Sequence, residues 1–136
     1  MSFVVLDTNI LVSSLWSIKG LPSKILKMVF DKQLIICHDY RILNEYSIVL
    51  NRPKFAFNPA DINDVLDFFR KHGISVIAEE FTEIFLDESD RKFYEVTKTL
   101  IKQGIDATFI TGNLKHYPKE TFIQSAADFF AKKFLI

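Results

Sequence analysis

Four short apolar runs, residues 3–6 (FVVL), 34–37 (LIIC), 74–78 (ISVIA) and 107–110 (ATFI), are separated by segments whose apolar residues recur at helical spacing. Runs of this length that are rich in Val and Ile and lack polar alternation are the pattern of strands covered on both faces. Their alternation with helices predicts an α/β fold with a mostly parallel sheet. Phe122 and Ile123 add a short fifth strand, so the expected architecture is a three-layer α/β/α sandwich around four to five strands.

The punctuation between these runs agrees with that order. Thr8 or Asn9 is placed to cap a first helix through Ile10, Leu11, Ser14 and Leu15, and a second begins near Pro22 and runs to Phe30. Asp39 caps a third, which stops at Asn51-Arg52-Pro53, and Asn58 or Asp61 opens a fourth that His72-Gly73 closes. Ser89 caps a fifth ending at Gln103-Gly104, and a last helix starts at Ser125 or Asp128. Residues 79–88 form an acidic connection with an apolar interruption at 84–86.

Length and charge narrow the function. The 136 residues suit a single domain, 1–136, with a real hydrophobic core. Seventeen basic residues balance seventeen acidic ones, which removes the long-range positive field of nonspecific DNA binders. Any nucleic-acid contact must use a local patch. Cys37, the only cysteine, is read as a buried reduced thiol. No run approaches the roughly 20 apolar residues of a membrane span, so a soluble cytoplasmic protein without membrane contact is expected. The phosphate-cradling glycine loops G-x-x-x-x-G-K-[ST] and G-x-G-x-x-G are absent, and His38, His72 and His116 lack zinc-ligand spacing.

Ligands of parallel α/β sheets bind along the carboxyl edge of the strands. Asp7 and Asn9 follow the first strand, Glu45 lies on the helix after the second, Asp90 opens the helix before the fourth, and Thr111, Gly112 and Asn113 end that fourth strand. Each has a plainer reading. Asp90 could support its helix dipole, worth about 0.3–1 kcal/mol. Glu45, at the border of its apolar stripe, could be solvated, Asp7 could form an Asx turn, and Asn9 could cap a helix. Together, however, three converging carboxylates would repel one another unless a cation neutralised them. Hard oxygen ligands of this kind select Mg²⁺ or Mn²⁺. Arg91, Lys92, Lys115 and His116 lie near the same edge and suit phosphate oxygens. Asp106 precedes its strand, about 16 Å from Thr111 at strand rise, and belongs to the opposite edge. Asp87 is a reserve ligand.

Four segments, V-V-L-D-T-N-I-L-V, I-L-N-E-Y with V-L-N-R-P-K-F, D-E-S-D-R-K-F-Y-E-V and I-T-G-N-L-K-H-Y-P, taken in order, resemble the PIN domain family, in the group that forms toxins of toxin–antitoxin pairs. The resemblance spans essentially the whole chain. It implies an α/β/α sandwich and a metal-dependent endoribonuclease, with Asp7, Glu45 and Asp90 at the first three acidic positions, holding Mg²⁺ or Mn²⁺. Asn9, Thr111 and Asn113 would then orient water or phosphate. RNA, a cognate antitoxin and a homodimer are the implied partners. Asn113 stands where the family usually has a fourth acid, so one ion is favoured over two. It also motivates an alternative, a PIN-fold module that binds RNA and metal with little or no cleavage. Phosphoryl transfer through Asp7 fits less well, since haloacid-dehalogenase phosphatases need a second Asp where Asn9 stands.

Overall fold

The computed structural model describes residues 2–134. Five strands, β1 (Ser2–Leu6), β2 (Leu34–His38), β3 (Ile74–Ser75), β4 (Ala107–Ile110) and β5 (Ile123–Gln124), form one sheet in the order β3-β2-β1-β4-β5. All four pairings are parallel. Six helices connect and cover them: α1 (Thr8–Trp16), α2 (Leu21–Phe30), α3 (Tyr40–Leu50), α4 (Pro59–His72), α5 (Arg91–Lys102) and α6 (Ala126–Phe134). α2 contacts α1 and α6, while α3 contacts α4 and α5, which makes the expected α/β/α sandwich. Successive residues Val4, Val5 and Leu6 are all fully buried, although they point to opposite faces, because helices cover the sheet on both sides.

From β1 the chain runs outward through β2 to β3, then returns to place β4 on the other side of β1. The topological switch point therefore lies between β1 and β4. Register pairs Leu6 with Ile110, which sets Asp7 and Thr111 side by side just beyond the strands.

Two caps stand where expected. The Asp39 carboxylate accepts from Ile42 N at 3.0 Å and the Asn58 side chain from Ala60 N at 2.8 Å, each worth about 1 kcal/mol. Other details differ. β3 stops at Ser75 because the chain beyond Val76 leaves the sheet and straps over α5, where Glu79 N donates to Thr99 Oγ1 and Phe81 N to Glu95 Oε2. Ser89 does not cap: Asp87 accepts from Ser89 N, and a 3₁₀ turn, Glu88–Asp90, leads into α5. With the strap on one side and the sheet on the other, α5 is buried on most of its circumference, including Lys92, Glu95 and Thr97. The Arg41 guanidinium bridges Asp39 at 2.8 Å and Glu95 at 2.9 Å, tying the start of α3 to α5.

Gly73 joins α4 to β3 where the two backbones nearly touch. A Cβ there would stand 2.5 Å from the Phe69 carbonyl oxygen and 2.7 Å from both the Ile36 carbonyl oxygen and its Cγ2. Gly73→Ala is expected to destabilise the fold by about 1–3 kcal/mol in urea unfolding, the usual cost of overpacking.

Candidate active site

Asp7 ends the central strand with its backbone N–H on the Ile110 carbonyl at 2.9 Å. It occupies the N-cap position of α1, yet its carboxylate caps nothing. Oδ2 instead accepts from the Thr111 hydroxyl at 2.7 Å and from the Tyr117 hydroxyl at 3.2 Å. Thr111 Oγ1 also accepts from Asn113 N at 3.0 Å, so the hydroxyl's own proton is directed at Asp7. Asn9 Oδ1 accepts from Gly112 N at 3.3 Å, holding the loop after β4 to the start of α1.

Asp90 stands at the entry to α5 and likewise makes no side-chain cap bond. Its Oδ1 lies 3.3 Å from the same Tyr117 hydroxyl, and its Oδ2 lies 3.5 Å from His116 Nδ1. A phenol has one proton and cannot donate to two carboxylates at once. Asp7 and Asp90 thus share a donor that satisfies one of them at a time.

The electrostatics follow from this shortage. Burial raises the pKa of Asp7 above the ordinary 3.8; the Thr111 and Tyr117 hydrogen bonds oppose it, and the charges of Asp90 and Glu45 add to it. Asp90 is raised by burial and by Asp87, against His116, Tyr117 and Lys92. Burial, with Asp7 and Asp90 beside it, pushes the Tyr117 phenol far above its usual range, so it remains a donor.

Glu45 is brought to the same edge but turned elsewhere. Its Oε1 pairs with Lys92 Nζ at 2.7 Å and its Oε2 accepts from the Thr8 hydroxyl. Among the described residues, no three carboxylate, imidazole or thiol side chains stand together closely enough to hold a metal ion as they are placed. The donor chemistry still suits one: Asp7 and Asp90 offer hard oxygens around a common point, and Mg²⁺ commonly takes one or two carboxylates while keeping waters.

The basic residues divide. Arg91, expected at a phosphate, is committed internally, with Nε on Glu88 at 2.6 Å and both terminal nitrogens on the Phe81 and Glu83 carbonyls at 2.7 Å. Lys92 is buried and donates to Glu45 and the Ser89 carbonyl. Lys115 and His116 remain exposed on the 3₁₀ turn after Asn113. Lys115 and Lys119 line a groove of about 610 Å³ together with Tyr117 and Pro118. Asp87 keeps its carboxylate on Ser89 and acts on Asp90 through its charge. The Asn113 amide is exposed and makes no hydrogen bond among the described residues. Asp106 is exposed and sits beyond the opposite ends of the strands. Cys37 is buried, its thiol pushed up to about 12 by burial, and His38 bonds the Phe69 carbonyl at 3.0 Å.

Sequence reasoning missed Tyr117. The 3₁₀ turn Leu114–His116 folds the chain back over β4 and packs the Tyr117 ring on Phe109 at 4.8 Å, which aims the hydroxyl at the two carboxylates. The available signal was a lone aromatic flanked by polar residues and Pro118, soon after a strand-end threonine.

Comparison with known proteins agrees with this architecture. A family model described as PIN domain matches residues 3–114, a span that includes Asp7, Glu45, Asp90 and Thr111 and ends before Tyr117. An uncharacterized protein of Methanocaldococcus jannaschii is 31% identical over 107 residues, covering 74% of this chain and 69% of that protein.

A carboxyl group whose pKa is raised by folding binds its proton more tightly in the folded state, so its ionisation opposes folding. The penalty is absent well below 3.8, grows as pH rises through the folded pKa, and is full above it. In EDTA, Asp7→Asn is therefore expected to melt at a higher temperature than the wild type at pH 7, with the advantage shrinking as the pH falls toward 3.8. Thermal unfolding at several pH values measures the difference.

Proposed function

The chain belongs to the PIN domain family, which has a nuclease-type fold, and from that premise we propose that it is a divalent-metal-dependent endoribonuclease. The observation that carries this reading is the pair of carboxylates, Asp7 and Asp90, sharing the Tyr117 hydroxyl at the switch point of the sheet. A buried carboxylate beside a half-buried one, with one donor shared between them, is costly to keep ionised without a cation. Mg²⁺ or Mn²⁺ would be held by Asp7 and Asp90, with Glu45 the third carboxylate of the set. When bound, such an ion supplies Lewis-acid polarisation of the phosphodiester and makes water a better nucleophile.

The chain's own residues have separable tasks. Thr111 fixes the Asp7 carboxylate by a hydrogen bond, and Tyr117 is a second donor that Asp7 shares with Asp90, which preorganises the pair before a substrate arrives. Asn9 and Gly112 brace the loop that carries Thr111 and Asn113. The exposed Asn113 amide, Lys115 and the imidazole of His116 face the side from which an RNA backbone approaches. His116, 3.5 Å from Asp90, is the group suited to exchange a proton with the leaving oxygen.

In this reading the protein is the toxin of a toxin–antitoxin pair, acts on RNA in the cytoplasm, forms a homodimer, and is restrained by a cognate antitoxin protein. Among the described residues, no helix is long and apolar enough to cross a membrane. A second reading is favoured by one observation: Asn113 brings no charge to the family's fourth acidic position. It makes the protein a module that binds RNA and metal with little or no turnover.

Purified protein is expected to cleave RNA in the presence of Mn²⁺, and Asp7→Asn to abolish cleavage while the fold is retained. Tyr117→Phe is expected to lower cleavage by about 10- to 100-fold, as loss of a group that orients a metal ligand usually does. Metal-dependent cleavage that survives in Asp7→Asn would sink the assignment. Binding of RNA and Mn²⁺ with no cleavage of any RNA offered would favour the second reading.

A further inference from the structure

Lys92 lies 9% exposed, two residues past Asp90, with its ammonium on Glu45 Oε1 at 2.7 Å and on the Ser89 carbonyl. Burying an ammonium is costly unless it is paired and hydrogen-bonded, and both conditions are met here. The second oxygen of Glu45 is taken by the Thr8 hydroxyl. Both Glu45 oxygens are thus engaged by residues adjoining Asp7 and Asp90, so the carboxylate that should complete a ring of three is withheld from it.

The charges balance on the same terms. Of the three carboxylates Asp7, Glu45 and Asp90, one is cancelled by Lys92, and the two negative charges left match a single divalent ion. Recruiting Glu45 to an ion would strand a buried ammonium beside that ion. Asn113 adds no negative charge that could hold a second one.

We propose that Lys92 is a built-in counter-cation that claims Glu45 and so restricts the site to one divalent ion held by Asp7 and Asp90. This rests on the metal-dependent reading above. Lys92 acts through Glu45 and is a positioning residue.

The test is Mn²⁺ alone, titrated calorimetrically into metal-free protein without RNA. The wild type takes one ion, and the Lys92→Met/Glu45→Gln double variant, which removes the pair together and leaves the local charge unchanged, keeps that stoichiometry with Kd within about threefold. Lys92→Met frees Glu45 and binds Mn²⁺ about tenfold more tightly or takes a second ion, and the gain disappears in the Lys92→Met/Glu45→Gln double variant. If Lys92→Met does not fold, Lys92→Gln, which retains a donor for the Ser89 carbonyl, goes through the same titration. A Lys92→Met/Glu45→Gln variant that loses affinity as severely as Asp90→Asn, or a Lys92 variant that binds no tighter than the wild type, overturns the proposal and leaves the metal reading standing. A wild type that binds no Mn²⁺ removes both.

Discussion

A carboxylate buried at the end of the central strand is the constraint around which this structure is arranged. The backbone of Asp7 is fixed by the bond to the Ile110 carbonyl and by the β1–β4 register, and the residue is buried there. It is kept in place by two hydroxyls, from Thr111 at the end of the adjacent strand and from Tyr117 at the end of the following turn. Neither removes the cost of burial, which still raises its pKa. A desolvated carboxylate of this kind is a functional-site candidate, and it lies within the span that matches the PIN domain family.

The other acidic groups reach this edge through a scaffold of buried charge. The strap over α5 is held by Glu95 and Thr99 from below, and Arg41 pins Glu95 to Asp39 at the start of α3. Arg91 closes the strap from the other end by holding the Phe81 and Glu83 carbonyls. These contacts fix where α5 begins, and therefore where Asp90 and Lys92 stand. The charged residues of this region thus divide into a structural set, with every partner inside the protein, and a smaller set left with an unmet need for positive charge.

What the sequence made legible was local. Apolar runs located β1, β2 and β4, Asp39 and Asn58 marked helix starts, and the strand-end position of Asp7 followed from its flanking aliphatics. What it concealed depends on partners distant in the chain. β3 is shorter than its apolar run because the chain leaves β2 after the Val76 N bond to the His38 carbonyl, and Glu79 and Phe81 bond α5 instead. Arg91 and Lys92 read as free cations since nothing local reveals the Glu83 carbonyl or Glu45 as their partners. Ile101, at helical spacing from Phe93 and Tyr94, is 37% exposed, because the buried face of α5 is set by the strap and the sheet together. Tyr117 reaches Asp7 across most of the chain's length, a contact that no periodicity encodes.

The central claim, that Asp7 and Asp90 flank the position of one divalent ion, is tested most directly by anomalous diffraction at the manganese edge from crystals grown with Mn²⁺. The account expects a single anomalous peak between the two carboxylates, with Glu45 still on Lys92. Ordered carboxylates with no peak between them, or a peak ligated elsewhere on the sheet, would contradict it.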